Sequence, residues 1–456
     1  MARDVVDSEI VESRDALVAW FEMGCKPAGS FRVGTEHEKV PFYRADHSPV
    51  PYGGERGIRA LLEGMCAHLG WERIENGENL IGLYDAKGEG AISLEPGGQF
   101  ELSGAPLSDA HATADELDRH LTACRVVADP LGIGFLTLGM SPKWSLAETP
   151  SMPKSRYAIM ARYMPKVGTR GLDMMFRTAT VQVNLDFASE QDMVTKLRVG
   201  LALQPAIAAL FANSPFTDGK LNGLVSARSE IWRHTDPART GMLAFAFEAG
   251  MGFERYVDYA LDVPLYFLKR GDHYQDVAGG SFRDLLAGRL AQAPGERATL
   301  ADWANHLSSI FPEVRLKRFL EMRGADVGPP DRIVALSALM AGLYYDPNAL
   351  HAAEMLTQGW TAEDRQKLRD DAPVLGLAAE IRGRDLRSVA IDMLAIAQGG
   401  LKRRARLNTK GEDETIHLRS LEASAESGRE PARHWIERYE RPWGRSVEPA
   451  FDEAAF

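Results

Sequence analysis

Residues 174–187 read MMFRTATVQVNLDF, and within them Thr178, Thr180, Gln182, Asn184 and Asp186 alternate with Ala179, Val181, Val183, Leu185 and Phe187. Strict alternation marks a strand with one apolar and one polar face, because successive side chains leave a strand on opposite sides. The polar face carries neutral hydrogen-bonding groups, which either position a ligand or meet water. Around this strand the pattern predicts others near 31–43, 90–103 and 313–323. Helical periodicity falls at about 8–23, 55–69, 109–128, 189–212, 281–291, 331–343, 362–370 and 384–402. Strands gathered early and helices late favour an α+β arrangement over a regularly alternating parallel sheet.

The flanking strands carry the charge. FRVGTEHEKVPFY (31–43) sets Glu36 and Glu38 two residues apart, so both carboxylates leave one face. In GAISLEPGGQFELSG (90–104) the turn signal Pro96-Gly97-Gly98 separates two short alternating runs. With Ile92, Leu94, Phe100 and Leu102 on one side of that hairpin, Ser93, Glu95, Gln99 and Glu101 line the other. PEVRLKRFLEMRGAD (312–326), read as one strand, puts Arg315, Lys317, Phe319, Glu321 and Arg323 on one parity. Each motif alone reads equally as a solvated face or a cross-strand ion pair.

If the strands are neighbours, Glu36, Glu38, Glu95, Glu101 and Glu321 share a surface. Unit charges ~4 Å apart repel by about 4 kcal/mol at an effective dielectric near 20, so such a cluster stays ionised only with cations among it. All-oxygen ligands favour Mg²⁺ or Mn²⁺ over zinc. Arg323 beside Glu321 suits a phosphate held by a guanidinium and a metal together. The loop-rich stretch 213–243, with Arg228, Trp232, Arg233 and Arg239, suits substrate carboxylates or is a charged surface. Neither a phosphate-binding P-loop nor a Rossmann glycine fingerprint occurs, so a nucleotide would be held mainly by metals and arginines.

Composition narrows the classes. The 456 residues, 45% of them hydrophobic, suffice for a large core, and 64 acidic against 53 basic residues give a formal charge of −11. That balance argues against nucleic-acid and anionic-membrane partners. Three cysteines, Cys25, Cys66 and Cys124, form no paired motif, and the N-terminus has acids where an export signal has bases. A reducing cytoplasm is expected. The apolar run from Leu197 to Ala212 contains Arg198, Gln204 and Pro205 and reads as a buried helix. The polar stretch from Asn408 to Gly428 is the weakest boundary and reads as a surface excursion, leaving one catalytic domain over 1–456.

At these residues the chain resembles the plant-type glutamate-cysteine ligases, in their proteobacterial branch. The resemblance runs in order through TEHEK, LEPGGQFELSG, FRTATVQVNLDF, ANSPFTDGK, RTGML, YVDYALDVPLYF, FPEVRLKRFLEMRGAD and the terminal WGRSVEPAFDE. It implies a bowl-like antiparallel sheet resembling the glutamine synthetase catalytic domain, surrounded by helices. The activity implied is ATP-dependent joining of the L-glutamate γ-carboxyl to the L-cysteine amine through a γ-glutamyl phosphate, the first step of glutathione synthesis.

By the same resemblance the five glutamates hold two or three Mg²⁺ ions (Mn²⁺ being the alternative), with Glu38 and Arg323 catalytic. Gln182 and Asn184 lie beneath the nucleotide, Thr180 lies near the glutamate, and Arg156, Arg228, Trp232 and Tyr266 bind amino-acid substrates. Plant members carry regulatory cysteine pairs in their later half, whereas this chain has no cysteine after Cys124. That switch is expected to be absent. A related carboxylate-amine ligase using another amine, and a non-catalytic Mg²⁺- or nucleotide-binding protein, remain as competing readings.

Overall fold

In the computed structural model, which describes residues 8–271 and 273–456, a nine-stranded antiparallel sheet forms the centre. Its first strand, β1 (Val33–Tyr43), is the seam. Glu36 of β1 faces Ser103 of one neighbour and Gln182 of the other. In chain order the next strands are β2 (Glu72–Asn76), β3 (Asn79–Tyr84), β4 (Ala91–Leu94), β5 (Phe100–Ser103), β6 (Ile133–Leu136) and β7 (Thr180–Leu185). A hairpin of Val314–Leu316 and Leu320–Asp326 completes the sheet and docks on β7. β6 takes the far end of β1, pairing Val40 with Leu136.

The four predicted strand regions hold with two corrections, and the sheet adds β2, β3 and β6, which the pattern did not predict. Residues 171–177 form a helix, and the strand starts only at Thr180. Asp173 and Asp218 hold Arg177, which also donates to the Trp144 carbonyl, so MMFR is anchored as a helix end. The second correction concerns 312–326, which is a hairpin rather than one strand. Its turn is closed by Lys317 N–H donating to the Phe319 carbonyl at 2.8 Å. Leu316 faces Leu320 across that turn and Arg315 faces Glu321, so the odd residues of both arms still share a face.

One face of the sheet is covered by helices. Thr35, immediately before the first β1 glutamate, meets Ser337 of the Pro330–Tyr344 helix through a 2.6 Å hydroxyl contact. Behind the final hairpin runs Glu190–Leu210, long and apolar enough by composition to cross a membrane, but packed inside the core as expected. A continuous apolar cluster includes Val11 at one end of the chain and Ala454 at the other. The 408–428 stretch is not a surface excursion. Leu418 and Leu421 are buried, and the fully buried Glu414 accepts from Ala110 N–H and from Arg404.

Candidate active site

The uncovered face of the sheet carries the polar residues of every strand near its centre. Glu36, Glu38, Glu95, Gln99, Glu101, Thr180, Gln182, Arg315 and Arg323 line one cleft. Glu38 faces Glu101 directly across the β1–β5 ladder, and like charges so placed repel. Burial, followed by the charges of Glu95 and Glu101, pushes the Glu38 carboxyl well above the usual carboxylate range, although Arg228 and a 3.0 Å hydrogen bond from Thr180 N–H oppose this. Glu101 is steadied by Ser103 and Ser93, whose hydroxyls lie 2.7 and 3.2 Å away. The Pro96-Gly97-Gly98 turn needs Gly98 at φ +89°, and Gln99 tethers the hairpin through Gly97 N–H and the Thr178 carbonyl.

The opposite rim is cationic. Arg315 grips Glu321 through two guanidinium nitrogens, Lys317 Nζ lies 2.9 Å from the same carboxylate, and Arg323 pairs with it as well. Burial alone would raise the Glu321 carboxyl, but Arg315, Lys317 and Arg323 pull it well below its ordinary value. The sequence reading placed Glu321 in the acid cluster. Instead it is fully buried, is not among the residues lining the cleft, and its charge is answered by three side-chain cations. It anchors three cations, two of which, the guanidinium groups of Arg315 and Arg323, do line the cleft.

Arg323 owes its aim to a bulge. The register between the last strand and β7 shifts between Met322 and Ala325, re-aiming the residues between them. A Cβ on Gly324 would fall 1.8 Å from Gln204 Nε2, so any larger residue would have to push the Gln204 side chain aside. Arg323 donates to Gln182 Oε1 at 2.7 Å and lies over the Trp232 and Phe311 rings. Asn184 does not line the cleft; it supports from beneath, donating to Glu36 Oε1 at 2.7 Å.

Helices close the other walls. Ser155–Val167 brings Arg156, Tyr157 and Met160, the 171–177 helix brings Met174 and Met175, and Ala227–Arg233 brings Arg228 and Trp232 one turn apart. The Thr180 hydroxyl donates to the Ala325 carbonyl at 2.8 Å, so it braces the bulge while lining the cleft. Tyr266 does not reach the cleft. It is buried under Arg239, whose guanidinium sits 3.8 Å from its ring centroid, and its hydroxyl meets the Met164 sulfur. The adjacent Phe267 lines the cleft in its place. Phe311, Ser308 and Tyr157 were also missed, whereas Thr178 and Gln99 had a signal in the polar parity of their predicted strands and Arg315 in its shared parity with Arg323.

Residues 32–453 match the family model described as glutamate-cysteine ligase family 2. The chain belongs to that family. It is 51% identical over 444 residues to the chloroplastic glutamate-cysteine ligase B of Oryza sativa subsp. japonica, covering 97% of this chain and 87% of the relative. Identity to the chloroplastic ligase of Arabidopsis thaliana is also 51% over 444 residues, 97% of this chain and 83% of the relative. A solved glutamate-cysteine ligase from Francisella tularensis, in complex with AMP, matches in fold with a TM-score of 0.56 at 11% identity, covering 93% of this chain and 87% of that one. The large antiparallel sheet with surrounding helices is thus the fold that the resemblance implied. These plant relatives are chloroplastic, a finding that overturns the expectation of a cytoplasmic enzyme.

The ligase's acid rim meets the requirements of hard cations. Its donors are all carboxylate oxygens, and burial, followed by the charges of Glu95 and Glu101, raises the Glu38 carboxyl among them. Among the described residues no group of three or more His, Cys, Asp or Glu is disposed to hold a metal ion on its own. Mg²⁺ is ordinarily held by one or two carboxylates together with substrate phosphates and water, so a rim that completes its shell only with a nucleotide fits that ion. The three cysteines are free, with Cys124 buried and Cys25 and Cys66 half-buried.

Proposed function

We propose that this cleft performs the ligation in two displacements, with the acid rim and the guanidinium pair holding opposite ends of the reacting groups. As a glutamate-cysteine ligase, the enzyme forms γ-glutamylcysteine with ATP, the first step of glutathione synthesis. A free carboxylate is a poor acyl donor. A γ-carboxylate oxygen of L-glutamate therefore attacks the γ-phosphorus of ATP, the bond from that phosphorus to ADP breaks, and γ-glutamyl phosphate results. The L-cysteine amine then attacks the acyl carbon, the C–N bond forms, inorganic phosphate leaves, and the amine's extra proton passes to solvent.

Arg323 stabilises the charge on the transferring phosphoryl group, held in line by Gln182 and Glu321, with Arg315 beside it. Glu36, Glu38, Glu95 and Glu101 hold two or three Mg²⁺ ions, or Mn²⁺, which when bound supply charge neutralisation at the phosphates. Asn184 orients Glu36 for that task. Arg156, Arg228 and Trp232 hold the amino-acid carboxylates, with Thr180 bracing the floor. The whole chain, 1–456, works as one catalytic unit, a reading supported by the apolar cluster that includes both Val11 and Ala454.

The observation that carries this reading is the facing of four carboxylates and two guanidinium groups across a single cleft. Phosphate release is measured with ATP and Mg²⁺ while L-glutamate, L-cysteine or both are withheld, and the product is weighed by mass spectrometry. Release that requires both amino acids and yields γ-glutamylcysteine is expected. Turnover with another amine in place of cysteine would assign a related carboxylate-amine ligase, and ATP binding without turnover would refute the catalytic reading.

A further inference from the structure

Below Arg228 lies a buried carboxylate that the two displacements do not use. Asp326, the last residue of its strand, is 1% exposed and accepts three hydrogen bonds. Asn213 N–H and Ser214 Oγ donate to its Oδ2 at 2.9 and 2.7 Å, and Ser226 Oγ donates to Oδ1 at 2.9 Å. Both hydroxyls then turn lone pairs toward the first turn of the 227–233 helix. Arg228 N–H donates to Ser214 Oγ, and Ser229 N–H to Ser226 Oγ, each at 3.1 Å. One carboxylate therefore fixes two serine rotors, and those serines fix the helix that carries Arg228 and Trp232.

The same helix is tied to the strand at a second point. Arg228 Nη2 donates to the Arg323 carbonyl at 2.7 Å, inside the bulge and three residues before Asp326. Space around Asp326 is fully taken: a Cβ on Gly139 would come within 2.6 Å of its side chain. Burial lowers the Arg228 guanidinium from its ordinary value, and Asp326, followed by Glu38, counters that loss.

We infer that Asp326 is a positioning residue for substrate binding, its carboxylate setting both the register of the 227–233 helix and the buried countercharge of Arg228, so that the guanidinium is presented to an amino-acid carboxylate. This rests on the reading of Arg228 as a carboxylate-binding group. A purely structural carboxylate would, when neutralised, weaken all substrates alike through a loosened fold. A positioning carboxylate affects one substrate.

The test compares KM for L-glutamate, L-cysteine and ATP, with thermal midpoints, in the wild type, Asp326→Asn, Arg228→Lys and the double variant. Asp326→Asn keeps volume and most hydrogen-bonding capacity while removing the charge. It is expected to raise by about tenfold the KM of the same amino acid that Arg228→Lys affects, leaving the ATP KM within about twofold, with the double variant little worse than Arg228→Lys alone. Ser226→Ala, which removes one tether and leaves the charge, should raise that KM by a smaller factor, and it serves in place of Asp326→Asn if that variant does not fold. Unchanged amino-acid KM values in Asp326→Asn or Ser226→Ala, effects that add fully to those of Arg228→Lys, or a uniform rise in all three KM values would overturn the inference. An Arg228→Lys enzyme with both amino-acid KM values unaltered would remove the reading of Arg228 itself, and the inference with it.

Discussion

Replacing Glu38 by Gln should make the metal-free protein more stable and the enzyme nearly inactive. Glu38 and Glu101 are direct cross-strand partners, and opposed side chains in a ladder start from Cβ atoms about 5 Å apart. Two unit charges at about 6 Å and an effective dielectric near 20 repel by about 3 kcal/mol. Because Glu38 is already pushed toward its protonated form, only part of that repulsion is present at neutral pH, so the gain expected is about 1–2 kcal/mol. For a 456-residue chain the unfolding entropy is about 1 kcal/mol per degree, so the midpoint should rise by about 1–2 °C. The glutamine keeps an oxygen for Thr180 N–H, so strand pairing survives.

The assay is differential scanning fluorimetry in chelator at about pH 8, paired with phosphate release in Mg²⁺ and ATP. Turnover should drop by about a hundredfold or more, the scale seen when one group stabilising transition-state charge is removed. The stabilisation should disappear on acidification, as the wild-type carboxyls take up protons. A variant that melts lower than wild type in chelator, or one that turns over normally, would refute the reasoning.

Arg323→Lys should lower turnover by about 10- to 100-fold while changing the ATP KM much less, because an ammonium cannot keep Gln182 and Glu321 and still present two donors to a phosphoryl group; a raised ATP KM with normal kcat would place Arg323 in nucleotide binding only. Gly324→Ala should cost about 1–3 kcal/mol through collision with Gln204, and Gln204→Ala should restore part of it, read as a non-additive pair of melting shifts. His306 is buried with Nε2 2.8 Å from the Ala260 carbonyl, and burial lowers its pKa to about 3. Since the neutral form is favoured only in the fold, its contribution is intact above about pH 6.5 and is lost as pH falls toward 3, amounting to about 2 kcal/mol at pH 5. His306→Gln should therefore flatten the acid limb of a stability profile between pH 6.5 and 5, and an unchanged limb would contradict this burial effect.

The central strands were legible because alternation in 33–39, 91–103 and 180–185 reports a sheet with one polar and one covered face. That parity put each glutamate on a polar face, and the rim followed once the strands were assumed to be neighbours. Partners across the sheet were not legible, since nothing local in 312–326 reveals that three cations close on Glu321 and remove it from the acid rim. The 155–167 helix escaped notice for a physical reason: it turns Arg156, Tyr157 and Met160 toward a polar cleft, which dilutes the apolar stripe that periodicity detects. Tyr266 and Phe267 are adjacent at the start of a short strand, Phe267–Arg270, so a pattern reading cannot choose which of the two faces the cleft.

The seam position of β1 bears on how the chain acquires its structure. Glu36 and Asn184, bonded across the ladder, are 148 positions apart in sequence, and β7 in turn pairs with residues beyond 320. During synthesis the first strand emerges long before either neighbour that flanks it, and β7 then exposes an unpaired edge until the final hairpin is made. Such non-local pairing must bear loop-closure entropy before contacts compensate for it, which makes folding slow and leaves apolar strand edges open to association with other chains. Soluble yield on expression should therefore respond to chaperone supply and to lowered temperature more strongly than the finished protein's resistance to heat would suggest.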